Sequence, residues 1–210
     1  MSEYLITTSL INSFSYYMKD EWKTPEDSRA DFLKTLSRER FEPNEAMQRG
    51  IDFENDIESA CKDHYKYLDD LNDEKQCKYD AIINNITNIV RGGFWQESCK
   101  KEIQIGNKNF LLYGRCDVIK DDTIYDIKYT SKYDTGKFSD SIQHLIYLYC
   151  LDLPKFQYLV SNLKDCWIEE YFNTQDTEEK IVSKISGFID YLERDQEASS
   201  IYYNKWKSYK

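Results

Sequence analysis

The chain has 210 residues, of which 40% are hydrophobic and 15% aromatic, and this is enough apolar material for one compact domain. Its net charge of −10 argues against a protein that coats nucleic acid with its whole surface, because affinity for phosphates depends on lysine and arginine. No apolar run approaches the roughly 20 residues of a membrane span. The opening Met1-Ser2-Glu3-Tyr4 also lacks the basic start and apolar core of a signal peptide. We therefore expect a cytoplasmic protein that makes no membrane contact.

The first part of the chain has the residue spacing of helices. Thr7, Thr8 and Ser9 offer N-caps for a first helix, and Pro25 stands at the first position of a second. Apolar residues at helical spacing predict two further helices. The four predicted helices cover about 8–17, 25–36, 44–68 and 79–90.

Gly92-Gly93 ends the helical pattern, and β-branched and aromatic residues separated by turn clusters follow. This pattern predicts an antiparallel meander of strands at 95–105, 110–119 and 124–129. A helix over about 139–152, strands at 156–161 and 166–172 and a helix over about 177–195 complete the chain. The element order predicts an α/β fold with a mixed central sheet flanked by helices. We expect a single domain over 1–210, with a mostly helical part at 1–91, the sheet at 92–172, and a helix and tail at 173–210.

Two acidic residues fall at related positions of the central hairpin. If Asp121-Asp122 is a two-residue loop, Lys120 pairs with Thr123, and the continued register places Asp117 opposite Asp126. Side chains at directly opposed positions lie about 5 Å apart. Two carboxylates at that distance repel by about 3 kcal/mol at an effective dielectric constant of 20. A positive charge is therefore expected beside them.

Two sources of that charge fit the hairpin. The same register places Arg115 opposite Lys128, with both side chains on the same face of the sheet as the two aspartates. One source is a Mg²⁺ or Mn²⁺ ion, which binds carboxylates and phosphate oxygens and promotes phosphodiester chemistry. The other is a salt-bridged sheet face, on which Arg115 and Lys128 neutralise the two acids.

Four short motifs occur in order along the chain: Gly50-x-x-Phe53-Glu54, Gly114-Arg115-Cys116-Asp117, Asp126-Ile127-Lys128 and Gln143-x-x-x-Tyr147. They fall on a predicted helix, the two strands of the hairpin and the following helix. Together they resemble the PD-(D/E)XK nuclease superfamily, specifically its RecB-like and Cas4-like exonuclease branch. The resemblance spans about half of the chain and implies a restriction-endonuclease-like core.

The resemblance implies a role for each matching residue. Asp117 and Asp126 would be metal ligands, Glu54 a further ligand or a water-mediated partner, and the Ile127 carbonyl another ligand. Lys128 would be the catalytic lysine. The residues implied to contact the DNA backbone or to brace the site are Gln143 and Tyr147, and Arg115 is assigned to substrate binding with them.

The function implied is a DNA nuclease that depends on Mg²⁺ or Mn²⁺, an exonuclease or end-processing enzyme of recombination, repair or nucleic-acid processing. Its partners would be single-stranded DNA or duplex ends, with possible protein partners in a recombination or defence complex. Cas4-like proteins usually hold an iron–sulfur cluster through one early and three late cysteines, and this chain has no such late group. We therefore expect no cluster. The alternative is a catalytically weak or inactive nuclease-fold protein whose acidic surface binds or inhibits other proteins.

Overall fold

The computed structural model describes residues 3–19, 23–40, 42–62 and 74–208. Its elements come in runs of helices and runs of strands. In chain order they are β1 (Tyr4–Thr7), α1 (Thr8–Lys19), α2 (Pro25–Leu36), α3 (Glu45–Lys62), α4 (Glu74–Val90), β2 (Phe94–Ile105), β3 (Lys108–Lys120), β4 (Thr123–Tyr129), α5 (Gln143–Leu151), β5 (Lys155–Ser161), β6 (Cys166–Phe172), α6 (Thr177–Arg194) and α7 (Gln196–Lys205).

The strands form one mixed sheet. β3 pairs antiparallel with β2 along one edge, and on its other edge it pairs first with β1, in parallel, and then with β4, antiparallel. β5 continues the sheet in parallel with β4, and β6 closes it antiparallel to β5. The predicted meander and the mixed α/β sheet are confirmed.

Helices cover both faces of the sheet, because its central strands alternate apolar residues to either side. Ile124 and Phe156 join the larger core, which also contains residues of α1, α2, α5, α6 and α7. Tyr125, Ile127 and Leu159 join the smaller core beneath α3 and α4. The two cores place α5 and α3 on opposite faces of β4.

Several helix boundaries follow the capping residues of the sequence. α2 starts at Pro25, as predicted, and the Thr24 hydroxyl ahead of it accepts the Asp27 amide proton at 3.2 Å. α5 starts at Gln143 rather than near 139, because the Asn12 side chain accepts the Ile142 amide proton instead. α3 is observed to Lys62, and the rest of its predicted range to 68 lies outside the described residues.

Two elements were not predicted, β1 and α7. Asp195 ends α6, where its backbone amide donates to the Tyr191 carbonyl, and its carboxylate caps α7 by accepting the Ala198 amide proton at 3.0 Å. The tail beyond it is packed rather than free, because Tyr202 and Trp206 are buried and the Trp206 indole donates to the Leu36 carbonyl. No helix in the described part of the chain is both long and apolar enough to cross a membrane.

Candidate active site

The candidate site lies where β3 changes partners. On the edge away from β2, β1 pairs with β3 as far as Tyr113 and β4 pairs with it from Val118 onward. The residues between them are those of the motif Gly114-Arg115-Cys116-Asp117. They have no strand partner on this edge, so side chains reach the backbone there.

Asp117 bridges the two separating strands. Its Oδ2 accepts the Ile127 amide proton at 2.7 Å, in place of the backbone carbonyl that regular pairing would offer. β3 is irregular at this point, since Cys116 packs in the larger core and Val118 in the smaller one, although residues two apart normally share a face. The carboxylate of Asp117 therefore joins β4 where the backbone pairing stops.

Asp126 and Lys128 project from β4 on the α5 side. Asp126 is completely buried, and its Oδ2 forms an ion pair with the Lys128 ammonium, which remains partly exposed. Burial acts to lower the pKa of Lys128, but the carboxylates of Asp126 and Asp117 raise it above its usual value. The pair keeps a buried negative charge compensated at the base of the site.

α5 braces this pair from its face of the sheet. The Gln143 side-chain amide donates to Asp126 Oδ1 and lies 3.3 Å from the Tyr147 hydroxyl. That hydroxyl donates to the Arg115 carbonyl at 2.8 Å, where β3 lacks a strand partner. Gly114 makes room for the ring, because a Cβ at this position would overlap Tyr147 Cε1. Gln143 and Tyr147 are thus placed to brace the site.

Glu54 approaches from α3, on the opposite face. Its neighbour Phe53 is buried in the smaller core, which leaves the half-buried carboxylate of Glu54 at the gap between β3 and β4. Gln96 Nε2 donates to Glu54 Oε1 at 2.6 Å. Gln96 has φ 55°, in the left-handed region that residues other than glycine, asparagine and aspartate seldom adopt.

The three carboxylates affect one another. Burial raises the pKa of Asp117 well above its usual range, and the charges of Asp126 and Glu54 raise it further. Burial and the charge of Asp126 also raise the pKa of Glu54. Three carboxylates and one ammonium leave an excess of two negative charges when all are ionised. The site therefore favours a further positive charge.

The donor set matches a divalent cation in chemistry. Carboxylate oxygens of Glu54, Asp117 and Asp126, with the Ile127 carbonyl nearby, are the hard ligands that Mg²⁺ and Mn²⁺ prefer. As arranged, no three acidic, histidine or cysteine side chains of the described residues surround a common point. Lys128 and Gln143 engage Asp126 instead. The residues therefore fit such an ion in the chemistry of their oxygen donors, and holding it would require Lys128 to leave Asp126 and the carboxylates to move closer together.

The predicted register holds near the turn and fails beyond it. Lys120 pairs with Thr123, and Val118 with Tyr125, across a loop in which both aspartates have positive φ, as a type I′ turn requires. The expectation that Asp117 and Asp126 face each other as a ladder pair is wrong, because pairing ends at Val118.

The position predicted for Arg115 is wrong for the same reason. Arg115 pairs with Ser98 of β2, and its side chain is exposed rather than opposite Lys128. Only its backbone carbonyl reaches the site, through Tyr147. The structure thus brings together Glu54, Asp117, Asp126, Lys128, Gln143 and Tyr147, and leaves the Arg115 side chain outside the buried cluster.

Sequence reasoning missed two neighbours of the site. Gln96 has no motif around it, and its contact with Glu54 joins α3 to β2. Tyr158 is the β5 partner of Asp126 and is fully buried, with its ring centroid 5.9 Å from the Lys128 ammonium. Both depend on pairing between distant segments, although an aromatic residue in a core strand could have been placed near the site once β4 and β5 were paired.

Comparison with solved structures supports the architecture. The crystal structure of SSO0001 has a TM-score of 0.56 at 18% identity, covering 91% of this chain and 78% of that one. The chain has a restriction-endonuclease-like fold. A phage-related exonuclease from Haemophilus somnus 129PT gives a TM-score of 0.45 at 15% identity, covering 96% of this chain and 95% of the other. No protein-family model and no curated protein matches the sequence.

Proposed function

We propose that the protein is a metal-dependent nuclease that hydrolyses DNA phosphodiester bonds at the site formed by Glu54, Asp117, Asp126 and Lys128. One observation carries the proposal. Acidic residues from α3, β3 and β4 meet at the gap between β3 and β4, with one lysine among them and more negative charge than that lysine neutralises. The ordered resemblance to PD-(D/E)XK exonucleases and the restriction-endonuclease-like fold support it.

Each residue has a distinct task in this proposal. Glu54, Asp117, Asp126 and the Ile127 carbonyl would hold Mg²⁺ or Mn²⁺, and the bound ion would offset the charge of the phosphate. Lys128, released from Asp126, would orient the attacking water and stabilise charge that develops on phosphorus oxygens.

The reaction is a hydrolysis. The water oxygen bonds to phosphorus, the bond from phosphorus to one sugar oxygen breaks, that oxygen gains a proton and the water loses one. Gln143 and Tyr147 would keep Asp126 and β3 in position during the reaction, through the contacts they make with the Asp126 carboxylate and the Arg115 carbonyl. An exonuclease or end-processing role in recombination, repair or nucleic-acid processing is the form of the activity we favour.

The test is cleavage of end-labelled single-stranded and duplex DNA in Mg²⁺ or Mn²⁺. Asp126→Asn and Lys128→Ala should each lower the rate at least about 100-fold, as loss of a main electrostatic stabiliser does. Asp122→Asn, in the turn of the same hairpin, should cleave like the unaltered protein, because asparagine tolerates its positive φ. Wild-type cleavage by Asp126→Asn would overturn the proposal.

A second function is favoured by the contacts of Asp126, both of whose oxygens are engaged, one by Lys128 and one by Gln143. A protein that kept this closed arrangement would be a catalytically weak nuclease-fold module that binds or inhibits other proteins through its acidic surface. Calorimetric titration with Mn²⁺ separates the two. Absence of binding at millimolar Mn²⁺ would favour the binding module.

A further inference from the structure

One cavity contains part of the candidate site, and a second cavity adjoins it. The first, of about 930 Å³, is lined by Glu54, Lys128 and the N-terminal turns of α3. The second, of about 1000 Å³, lies between α1, α2 and the tail. Asn44 and Met47 line both cavities, so the two lie next to each other. We call the second cavity the α1–α2 groove.

The α1–α2 groove is basic, in contrast to the chain as a whole. Among the residues that the structure describes, its lining has four cationic and two anionic side chains, which are Lys23, Lys34, Arg38, Arg40, Asp31 and Glu39. The carboxylate of Asp31 is shared by two of these lysines, at 2.8 Å and 3.1 Å. The described lining therefore has an excess of two positive charges in a chain of net charge −10, and it adjoins, at Asn44 and Met47, the cavity that contains Glu54 and Lys128.

An exposed aromatic ring accompanies the positive charge. Tyr16 lines the groove with 76% of its surface exposed, whereas Tyr17 stacks on the buried Phe32 and packs against the larger core. An exposed ring beside cations is a surface on which an unpaired base stacks while phosphates are neutralised. The bases of a duplex are already paired and stacked, and cannot use the Tyr16 ring.

Arg38 contributes its charge from a fixed position. It has φ 56° just after α2, where the Arg38 and Glu39 amides donate to the Thr35 and Lys34 carbonyls in an ordinary helix cap. Its guanidinium lies 4.1 Å from the centre of the buried Trp206 ring. One cation of the groove is therefore held in place by an aromatic ring.

We propose that the α1–α2 groove binds a single strand of DNA whose neighbouring phosphodiester lies at the candidate site. The proposal rests on the proposed nuclease function for its substrate, and it adds that the substrate is single-stranded and that the strand runs past Met47 towards Tyr16. Affinity then comes from α1 and α2, and hydrolysis from the hairpin and α3.

Anisotropy of a fluorescent oligonucleotide, measured without divalent metal, tests the groove apart from cleavage. The double variant Lys34→Ala/Arg40→Ala should weaken binding and lower the slope of log affinity against log salt by about 1.4, since each phosphate contact on a single strand contributes about 0.7. Tyr16→Ala should weaken binding about 5-fold or more. Unchanged affinity and slope in both variants would overturn the proposal.

The matched control is Lys180→Ala/Lys164→Ala, which removes the same charge elsewhere. Lys180 pairs with Asp176 along α6 much as Lys34 pairs with Asp31 along α2, and Lys164 is exposed beyond β5. The control should leave the slope of log affinity against log salt within about 0.3 of that of the unaltered protein. An equal loss of affinity in the two double variants would overturn the proposal. Thermal unfolding of each variant excludes a loss of fold.

Strand length and type separate this proposal from the proposed function. The Lys34→Ala/Arg40→Ala change should lower the affinity for an oligonucleotide of about 16 nucleotides and leave the affinity for one of about 4 nucleotides unchanged. These lengths span the range of site sizes of single-strand binding proteins. Tighter groove-dependent binding of duplex DNA or of RNA would overturn the choice of single-stranded DNA. Binding that depends on the groove residues, without any cleavage, would support the groove proposal and contradict the proposed nuclease function. Cleavage at an unchanged rate in the groove variants would support the nuclease function and contradict the groove proposal.

Discussion

Gly114→Ala tests the contact that joins β3 to α5. A Cβ at residue 114 would overlap Tyr147 Cε1 and lie 2.9 Å from Cδ1. The ring cannot simply swing away, because Tyr147 is buried and its hydroxyl is bonded to the Arg115 carbonyl at 2.8 Å. Overpacking a core costs about 1–3 kcal/mol, and losing the hydrogen bond costs about 1 kcal/mol more. The free energy of unfolding should therefore fall by about 2–4 kcal/mol.

Urea unfolding measures this change, and Gly187→Ala is its control. At residue 187, in α6, an added Cβ meets nothing within 4 Å, so alanine should stabilise the protein by about 0.5–1 kcal/mol through its better helix propensity. A double-mutant cycle identifies the partner of Gly114. Gly114→Ala combined with Tyr147→Leu should be less destabilised than the sum of the two single changes, by about 1–3 kcal/mol. Simple additivity would refute the reasoning.

Three further predictions concern other parts of the fold. Burial lowers the pKa of His144 from 6.5 to about 4. Between about pH 7 and pH 5 the unfolded chain therefore binds a proton at this residue and the folded chain does not, which lowers the free energy of unfolding by about 2 kcal/mol. His144→Phe should remove that loss in urea unfolding at both pH values, and an undiminished loss would contradict it. Gly50→Ala adds a Cβ 3.9 Å from Tyr129 Cβ and should raise the unfolding free energy by about 0.5–1 kcal/mol, whereas a lower melting temperature would show that the helix needs glycine there. Asp195→Ala removes the α7 cap together with the ion pair to Arg29, so it should cost more than the roughly 1–2 kcal/mol of the cap alone, and Asp195→Asn should restore the cap but not the ion pair in the same thermal melts.

The fold was predictable where local residue patterns decide it. The turn at Asp121-Asp122 fixed the hairpin register, since only a two-residue loop with positive φ at both positions joins strands so closely. Pro25 and its Thr24 cap fixed the start of α2. These signals lie within a few residues of the structure that they determine.

β1 and α7 were missed for different reasons. β1 is four residues long and gains its place only by parallel pairing with β3, more than 100 positions away in sequence. α7 had a local signal, because Asp195 is an N-cap residue followed by Glu197 in the first turn. Its meaning was hidden because the same residue ends α6. The Tyr202 hydroxyl of α7 donates a hydrogen bond to the Leu5 carbonyl of β1, so both missed elements meet at the larger core.

The composition of the candidate site was predictable, but its geometry was not. The motifs named the residues, yet the regular register placed Arg115 beside Lys128, which the structure contradicts. The reason is that β1 and β4 share one edge of β3 and leave a gap between them. In that gap the Arg115 carbonyl needs a donor, which Tyr147 supplies, and the Ile127 amide needs an acceptor, which Asp117 supplies. Buried polar backbone groups must be satisfied, so the change of strand partners fixes where these side chains lie and thereby positions Asp117 next to Asp126.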